Sequence, residues 1–417
     1  MEANVLITKP KKDSFFLMPY ISHRRPSSAR RSGTRPPRAP KGSKQAINPS
    51  RYVKAANPAQ TADYTAQNAF ADFAIHPLLK NNIAGKGYKM PSEIQDKTIA
   101  LGLSGRDVVG VANTGTGKTA AFAIPILNKL MHRRDLRAII IAPTRELALQ
   151  IEEQCKLLAQ NSGLTGALVI GGMPMGRQVS ALKNGANIII GTPGRLKDHV
   201  KQGSLNLGDC HMVVLDEVDR MLDMGFINDV RFLLDLLPDG RQSFFFTATL
   251  GPEVSTLIQT FAKDPVTVNV KAGETSDNVH QDVIAYENKP QRLDLLHDVL
   301  LRSDVKKTLI FCEMKYGTER LAKELVARGF SADALHGGKS QGRRGRALDS
   351  FRDSSVNILV ATDVAARGID VIDITHVINF DEPHSYNDYI HRIGRAGRAG
   401  KIGHALTFVE LKPAIRF

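Results

Sequence analysis

Asp107-Val108-Val109-Gly110-Val111-Ala112-Asn113-Thr114-Gly115-Thr116-Gly117-Lys118-Thr119 decides the fold. A short β-branched run leads into a glycine-punctuated loop, and the loop opens an amphipathic stretch. That is the order of a buried strand, a phosphate-cradling turn and a helix starting near Lys118. Thr114, Gly115, Thr116 and Gly117 line the cradle, where the two glycines let backbone N–H groups approach phosphate oxygens. Lys118 is placed to reach the β- and γ-phosphates, and the Thr119 hydroxyl to ligate Mg²⁺. Ala112 stands at the first position of the pattern, where Gly is general.

Working outward, Asp107–Ala112, Ala138–Ala142, Asn187–Gly191, Met212–Leu215 and Ser243–Thr247 read as buried parallel strands, with helical stretches such as Glu146–Ala159 between them. The rhythm lapses over Asp264–Val279, which reads as a linker. It resumes with strands at Thr308–Cys312, Asn357–Ala361, His376–Phe380 and Ala405–Val409. This alternation predicts two α/β domains with parallel sheets, over residues 63–268 and 281–417, joined by 269–280. Ligands of such sheets bind at the carboxyl ends of the strands, and the polar motifs fall there.

The 417 residues are 42% hydrophobic and 24% charged, with no apolar run long enough to span a bilayer. Cys155, Cys210 and Cys312 form no CxxC pair, so a metal site or disulfide framework is not expected and a reducing compartment is the natural reading. Residues 1–60 hold thirteen of the basic side chains against Glu2 and Asp13, and so carry +11 of the +14 net charge. Rich in Pro, Ser and Gly, residues 1–62 read as a disordered basic tail that adds salt-sensitive affinity for phosphate backbones. A solubilising extension and an organelle-targeting segment are the alternatives.

Asp216-Glu217-Val218-Asp219 follows an apolar strand. Asp216 is placed to hold Mg²⁺ and Glu217 to orient and deprotonate an attacking water. A helix-capping role is the alternative for such a cluster. In Gly87–Gln95, the Gln95 amide suits the N7 and N6 of adenine, and Tyr88 can stack on the base. His391-Arg392-Ile393-Gly394-Arg395-Ala396-Gly397-Arg398 has no acidic residue within it and can supply charge to a γ-phosphate across a cleft.

These stretches together resemble a DEAD-box RNA helicase from about Phe70 to the C-terminus. Phe70 and Gly87–Gln95 are similar to the adenine-reading Q motif, and Ala112–Thr119 to motif I, with Asn113 where Gln is commoner. Pro143–Ala148 resembles motif Ia, Gly171-Gly172 the GG element and Thr192–Arg195 motif Ib. Thr247-Ala248-Thr249 resembles motif III, Leu309–Cys312 motif IV, and Gln341 with Arg344 the QxxR element. Ala361–Asp370 resembles motif V and His391–Arg398 motif VI. The eponymous tetrapeptide is DEVD, with Val218 in place of Ala beside the site, where it either crowds motif III or fills space. Within that family the chain looks most like the minimal bacterial members.

The resemblance implies two tandem RecA-like domains with ATP and Mg²⁺ between them. Gly368 and Asp370 would reach the nucleotide from the second domain, and Arg395 and Arg398 its γ-phosphate. RNA, gripped largely without regard to sequence, would lie on Arg145, Gly172, Thr192, Arg195, Gln341, Arg344 and Thr362, with the turn Pro193-Gly194 steering a bend. Asp219, Thr247, Thr249 and His391 would couple the lobes. The expected activity is RNA-dependent ATP hydrolysis by a cytoplasmic monomer that separates short duplexes or remodels RNA–protein complexes, with ribosomal or RNA-decay proteins as possible partners. A processive DNA helicase and an ATP-gated RNA clamp are the competing readings. A small-molecule kinase would lack the second arginine-bearing lobe.

Overall fold

The apolar runs fold as the interior strands of two parallel sheets in the computed structural model. It describes residues 47–57, 64–113, 115–270, 275–366, 369, 371, 373–398 and 401–411, within one compact unit. The first lobe contains β1 (Val108–Val111), β2 (Arg137–Ile141), β3 (Gly166–Val169), β4 (Ile188–Gly191), β5 (Cys210–Asp216), β6 (Gln242–Thr247) and β7 (Val266–Asn269), in the order β3-β4-β2-β5-β6-β1-β7. The second contains β8 (Val279–Tyr286), β9 (Thr308–Phe311), β10 (Ala332–Leu335), β11 (Ile358–Ala361), β12 (His376–Asn379) and β13 (Gly403–Glu410), in the order β10-β11-β9-β12-β13-β8.

Alternation along each strand divides the first core into two. Ile140, Val214, Phe244 and Phe246 face one side, and Ile139, Ile141, Val213 and Phe245 the other. Both faces are covered by helices, so the central strands read as continuous apolar runs. Val218 joins the second of these clusters and is fully buried. All three cysteines are buried and free.

The structure changes the sequence reading in three places. β7 lies inside the expected linker and pairs in parallel with β1, Val108 opposite Val266. β8 begins at Val279, two residues ahead of the expected domain start. Residues 47–57, assigned to the disordered tail, pack on the second lobe. Pro49–Tyr52 forms one 3₁₀ turn capped by Asn48, and Tyr52 is fully buried with its ring centroid 4.7 Å from that of Tyr389. Lys54 makes an antiparallel bridge to Gln281, with N–H···O distances of 3.0 and 2.8 Å in the two directions. The charge count predicts disorder there, but one large ring with an apolar slot to enter outweighs it. The remainder of the expected tail, residues 1–46 and 58–62, lies outside the described residues.

Candidate active site between the two lobes

The phosphate loop leaves β1 and turns into the helix Lys118–His132 through two left-handed glycines, Gly115 (φ +86°) and Gly117 (φ +92°). A Cβ on Gly117 would come within 2.3 Å of Gln95 Nε2, so both conformation and space demand glycine. The loop is tied down along its length. The Thr116 hydroxyl donates to Asn113 O (2.9 Å), Ser92 Oγ donates to Thr116 O (2.6 Å), and Lys118 Nζ donates to Ala112 O (2.9 Å). Thr119 is half-buried in the first turn of the helix. Thr114 lies outside the described residues.

Gln95 is committed to protein here. Its Oε1 accepts from Ser92 N (2.9 Å) in a capping box that starts the helix Glu93–Leu103, and its Nε2 donates to Gly117 O (3.1 Å). An amide offers four hydrogen-bonding positions, so one N–H and one lone pair remain to read a base. Tyr88 is half-buried and stacks on Phe70 at 5.7 Å, while Phe70 itself is buried behind it. Phe70 therefore supports the Tyr88 ring. The sequence reading missed Asp96, which gathers the preceding segment by accepting from the Tyr64 hydroxyl (2.7 Å), Gln67 N (2.7 Å) and Asn68 Nδ2 (2.8 Å).

The acidic cluster sits at the carboxyl end of β5, beside β6, with β1 the next strand along. Asp216 is buried, and burial pushes its carboxyl up to about 6 against the opposing pull of Lys118. Glu217 occupies the left-handed region (φ +55°), rare for a residue with a side chain, and holds its carboxylate inside the protein. Neither Glu217 oxygen accepts a hydrogen bond, although Oε2 lies 3.2 Å from Arg220 Nη1 in a buried ion pair. Burial alone would raise this group. Arg220, Lys118, Arg395 and His391 together outweigh burial and hold it below the usual carboxylate range. Asp219 Oδ2 accepts from Ala248 N (3.1 Å), Thr249 N (2.9 Å) and Thr249 Oγ1 (3.1 Å), and the Thr247 hydroxyl donates to Thr249 O (2.8 Å).

The second lobe presents the helix Tyr386–Ile393 and the turn after it. The sequence run lacks an internal acid, yet Arg392 finds one outside it. Its Nε and Nη2 bind the two oxygens of Asp363 at 2.6 and 2.7 Å, and Nη1 donates to Asp381 O (2.7 Å). Arg392 is thus structural. Arg395 is buried and donates to Ile369 O (2.9 Å), and Arg398 donates from Nε to Gly394 O (3.1 Å). Burial pushes His391 down to about 4, with Arg220 adding to the effect. Arg220 of the first lobe lines a cavity with Phe311, His391, Arg392 and Arg395 of the second. Gly368 and Asp370 lie outside the described residues.

The expected RNA-facing residues divide into two groups. Arg145 and Gly172 come together, since a Cβ on Gly172 would meet Arg145 Nη1 at 2.5 Å. Thr192 precedes the helix Pro193–Lys201, and half-buried Arg195 lies in its first turn. Pro193 therefore opens a helix at the position where its missing N–H costs nothing, and the expected turn is absent. In the other group, buried Arg344 pairs across the lobes with Glu146, Nη2 to Oε1 2.7 Å, and Gln341 Nε2 lies 3.5 Å from the same oxygen. Thr362 is buried after β11.

A phosphate loop and acidic strand end on one parallel-sheet lobe, facing a buried basic helix on a second, define a tandem RecA-like nucleoside triphosphatase. The family model described as DEAD/DEAH box helicase matches residues 92–257, and the helicase conserved C-terminal domain matches residues 291–400. The chain is 42% identical over 342 residues to the DEAD-box ATP-dependent RNA helicase CshA of Bacillus subtilis, covering 82% of this chain and 69% of that one. It is 39% identical over 341 residues to the ATP-dependent RNA helicase CshA of Limosilactobacillus reuteri, with the same coverage. Among solved structures it resembles Saccharomyces cerevisiae Dbp5 bound to RNA and ADP BeF3, with TM-score 0.73 and 30% identity over 82% of this chain and 90% of that one. The chain belongs to the DEAD-box family, and its activity is that of an ATP-dependent RNA helicase.

Proposed function

We propose that RNA binding closes the lobes around ATP and that the closed cleft hydrolyses it, separating short duplexes or remodelling RNA–protein complexes. One observation carries this reading: a buried Glu217 carboxylate with no hydrogen-bond donor, faced by Arg220, His391 and Arg395. A buried carboxylate whose oxygens accept no hydrogen bond is costly unless it has a task, and one held ionised can take a proton from a water molecule. Arg395 and Arg398 stabilise charge developing on the γ-phosphate, an effect worth about 10³–10⁵ in rate for such arginines. Lys118 exchanges its Ala112 carbonyl for phosphate oxygens. The Thr119 hydroxyl and Asp216 carboxylate form an oxygen-only donor pair fitting Mg²⁺, which supplies charge neutralisation when bound. Gly368 and Asp370 complete the nucleotide contacts.

RNA lies across Arg145, Gly172, Thr192 and Arg195 on one lobe and Gln341, Arg344 and Thr362 on the other, held by its backbone and hence without sequence preference. Asp219, Thr247, Thr249 and His391 transmit the state of the phosphate to that grip. The protein acts as a cytoplasmic monomer, with ribosomal or RNA-decay proteins as partners. The test is hydrolysis of ATP and GTP with and without single-stranded RNA, followed by strand displacement on a short duplex. ATP-selective, RNA-stimulated turnover with displacement supports the reading. Turnover indifferent to RNA overturns it, and stimulated turnover without displacement identifies a clamp.

A further inference from the structure

At the amino ends of the second lobe's strands, opposite the nucleotide cleft, three histidines stand in register. His376 opens β12, His404 of β13 lies beside it, and His280 of β8 beside that. The rings of His376 and His404 stack at 4.7 Å and 11°, and those of His404 and His280 at 5.3 Å and 18°. Asp304, in the loop before β9, brings Oδ2 to 3.6 Å from His376 Nε2. The ligating atoms of Asp304, His376 and His404 all lie within 4.8 Å of one another.

His376 Nδ1 lies 3.0 Å from the Thr375 hydroxyl, which also contacts Lys307 O (3.1 Å), Lys306 N (3.1 Å) and Lys307 N (3.2 Å). That leaves Nε2 as the ring atom facing the Asp304 carboxylate, at 3.6 Å, too far for a direct hydrogen bond.

We propose that Asp304, His376 and His404 bind a divalent transition-metal cation, with Zn²⁺ as the archetype. Two imidazoles and a carboxylate suit such an ion better than Mg²⁺ or Ca²⁺. Zinc bonds of about 2.0–2.1 Å put neighbouring tetrahedral ligands about 3.3 Å apart. The 3.6 Å separation nearly meets that, and small rotations of exposed Asp304 and half-buried His404 bring the set together. Thr375 orients the buried imidazole from the second shell of donors, a common feature of such sites. Arg302, with Nη2 3.4 Å from the same Asp304 oxygen, shares the carboxylate and moderates affinity. His280 stays outside the ligand set, since its Nδ1 accepts from Ala56 N (3.1 Å). Through that bond and the ring stack, the ion would brace the packed N-terminal segment against β12 and β13.

The test uses the full, untagged, chelator-stripped chain in excess Mg²⁺, which occupies the acidic cleft. Co²⁺ is titrated while its visible absorption is followed, and Zn²⁺ is then added to displace it. One Co²⁺ per chain, displaced by one Zn²⁺ with a rise in Tm, is expected. Asp304→Asn should weaken uptake at least about tenfold. His404→Gln should abolish the absorption, while His280→Gln and RNA-stimulated ATP hydrolysis by all three variants stay at wild-type levels. Absence of saturable one-to-one uptake, or equal uptake by wild type and Asp304→Asn, overturns the proposal. Asp304 is exposed and its substitution spares the core, so this variant decides alone if His404→Gln fails to fold.

Discussion

Two buried junctions join the lobes, and they differ in how completely their charges are met. At one, Arg344 and Glu146 meet at 2.7 Å and each answers the other's charge. At the other, Glu217 sits among Arg220, His391 and Arg395 with both carboxylate oxygens lacking a hydrogen bond. A junction with a direct charged contact across the lobes contributes to holding a shape, although Arg344 Nε makes no hydrogen bond there. A carboxylate whose oxygens accept no hydrogen bond keeps that capacity for atoms that arrive later.

The sharpest way to break the contrast is at Arg395. Arg395→Ala should lower RNA-stimulated turnover by about 10³-fold or more while ATP affinity changes little, because the lost interaction belongs to the transition state. Arg395→Lys should recover only part of this, since an ammonium lacks the planar fork. A near-normal turnover number in steady-state kinetics would remove Arg395 from the chemistry.

The paired junction should respond differently. Arg344→Ala or Glu146→Ala strands a buried charge, a change worth about 3–5 kcal/mol. Lobe closure, followed by fluorescence transfer between labels on the two lobes, should weaken strongly in each single variant. An Arg344→Met/Glu146→Leu double variant should recover much of it, and additive losses would show that the two residues act independently.

A smaller effect is expected from pH. The closed lobes hold His391 near 4, below its ordinary value of about 6.5. Opening exposes it to water and lets it take a proton. Closure is therefore favoured above pH 6.5 and weakens as pH falls from 6.5 toward 4. Arg220, Asp219, Arg395 and Glu217 surround the ring and set the size of the effect. Asp216 works in the opposite sense: raised to about 6, it favours the folded lobe as pH falls. Comparing wild type with His391→Gln isolates the histidine, and identical closure profiles would remove it from the junction.

The mildest test is Val218→Ala. Val218 belongs to the core cluster that includes Leu215 and Met221. Truncation should cost about 1–2 kcal/mol by denaturant unfolding, with hydrolysis changed less than about twofold because no atom of the site moves. A large change in turnover would show that the valine shapes the catalytic loop.

All nine strands read from sequence are interior strands, and the four that escaped, β3, β7, β8 and β10, are the four sheet edges. Interior strands are apolar on both faces and stand out as runs. Edge strands such as Val266–Asn269 and Ala332–Leu335 are partly exposed and carry polar residues that blur the signal. The site divides along similar lines. Lys118, Asp216 and Glu217 were legible because local order encodes their chemistry. Glu146 as the partner of Arg344 was hidden, since the two are joined only by the fold. Arg220, directly after the acidic tetrapeptide, went unread, because nothing local signals that it is buried. Gln95 was recognised for its amide, but its hold on Gly117 depends on a loop that sequence spacing cannot place.

Because Tyr52 is seated on the second lobe, the chain visits that lobe, crosses to the first and then returns. The lobes are therefore strung together twice. Seven residue steps separate Asn57 from Tyr64, a reach of at most about 25 Å, and five separate Val270 from Thr275, at most about 18 Å. Two short tethers in parallel limit how far and in which directions the cleft can gape. They also keep each lobe at high effective concentration for the other, so reclosure on a fresh nucleotide starts from a confined search.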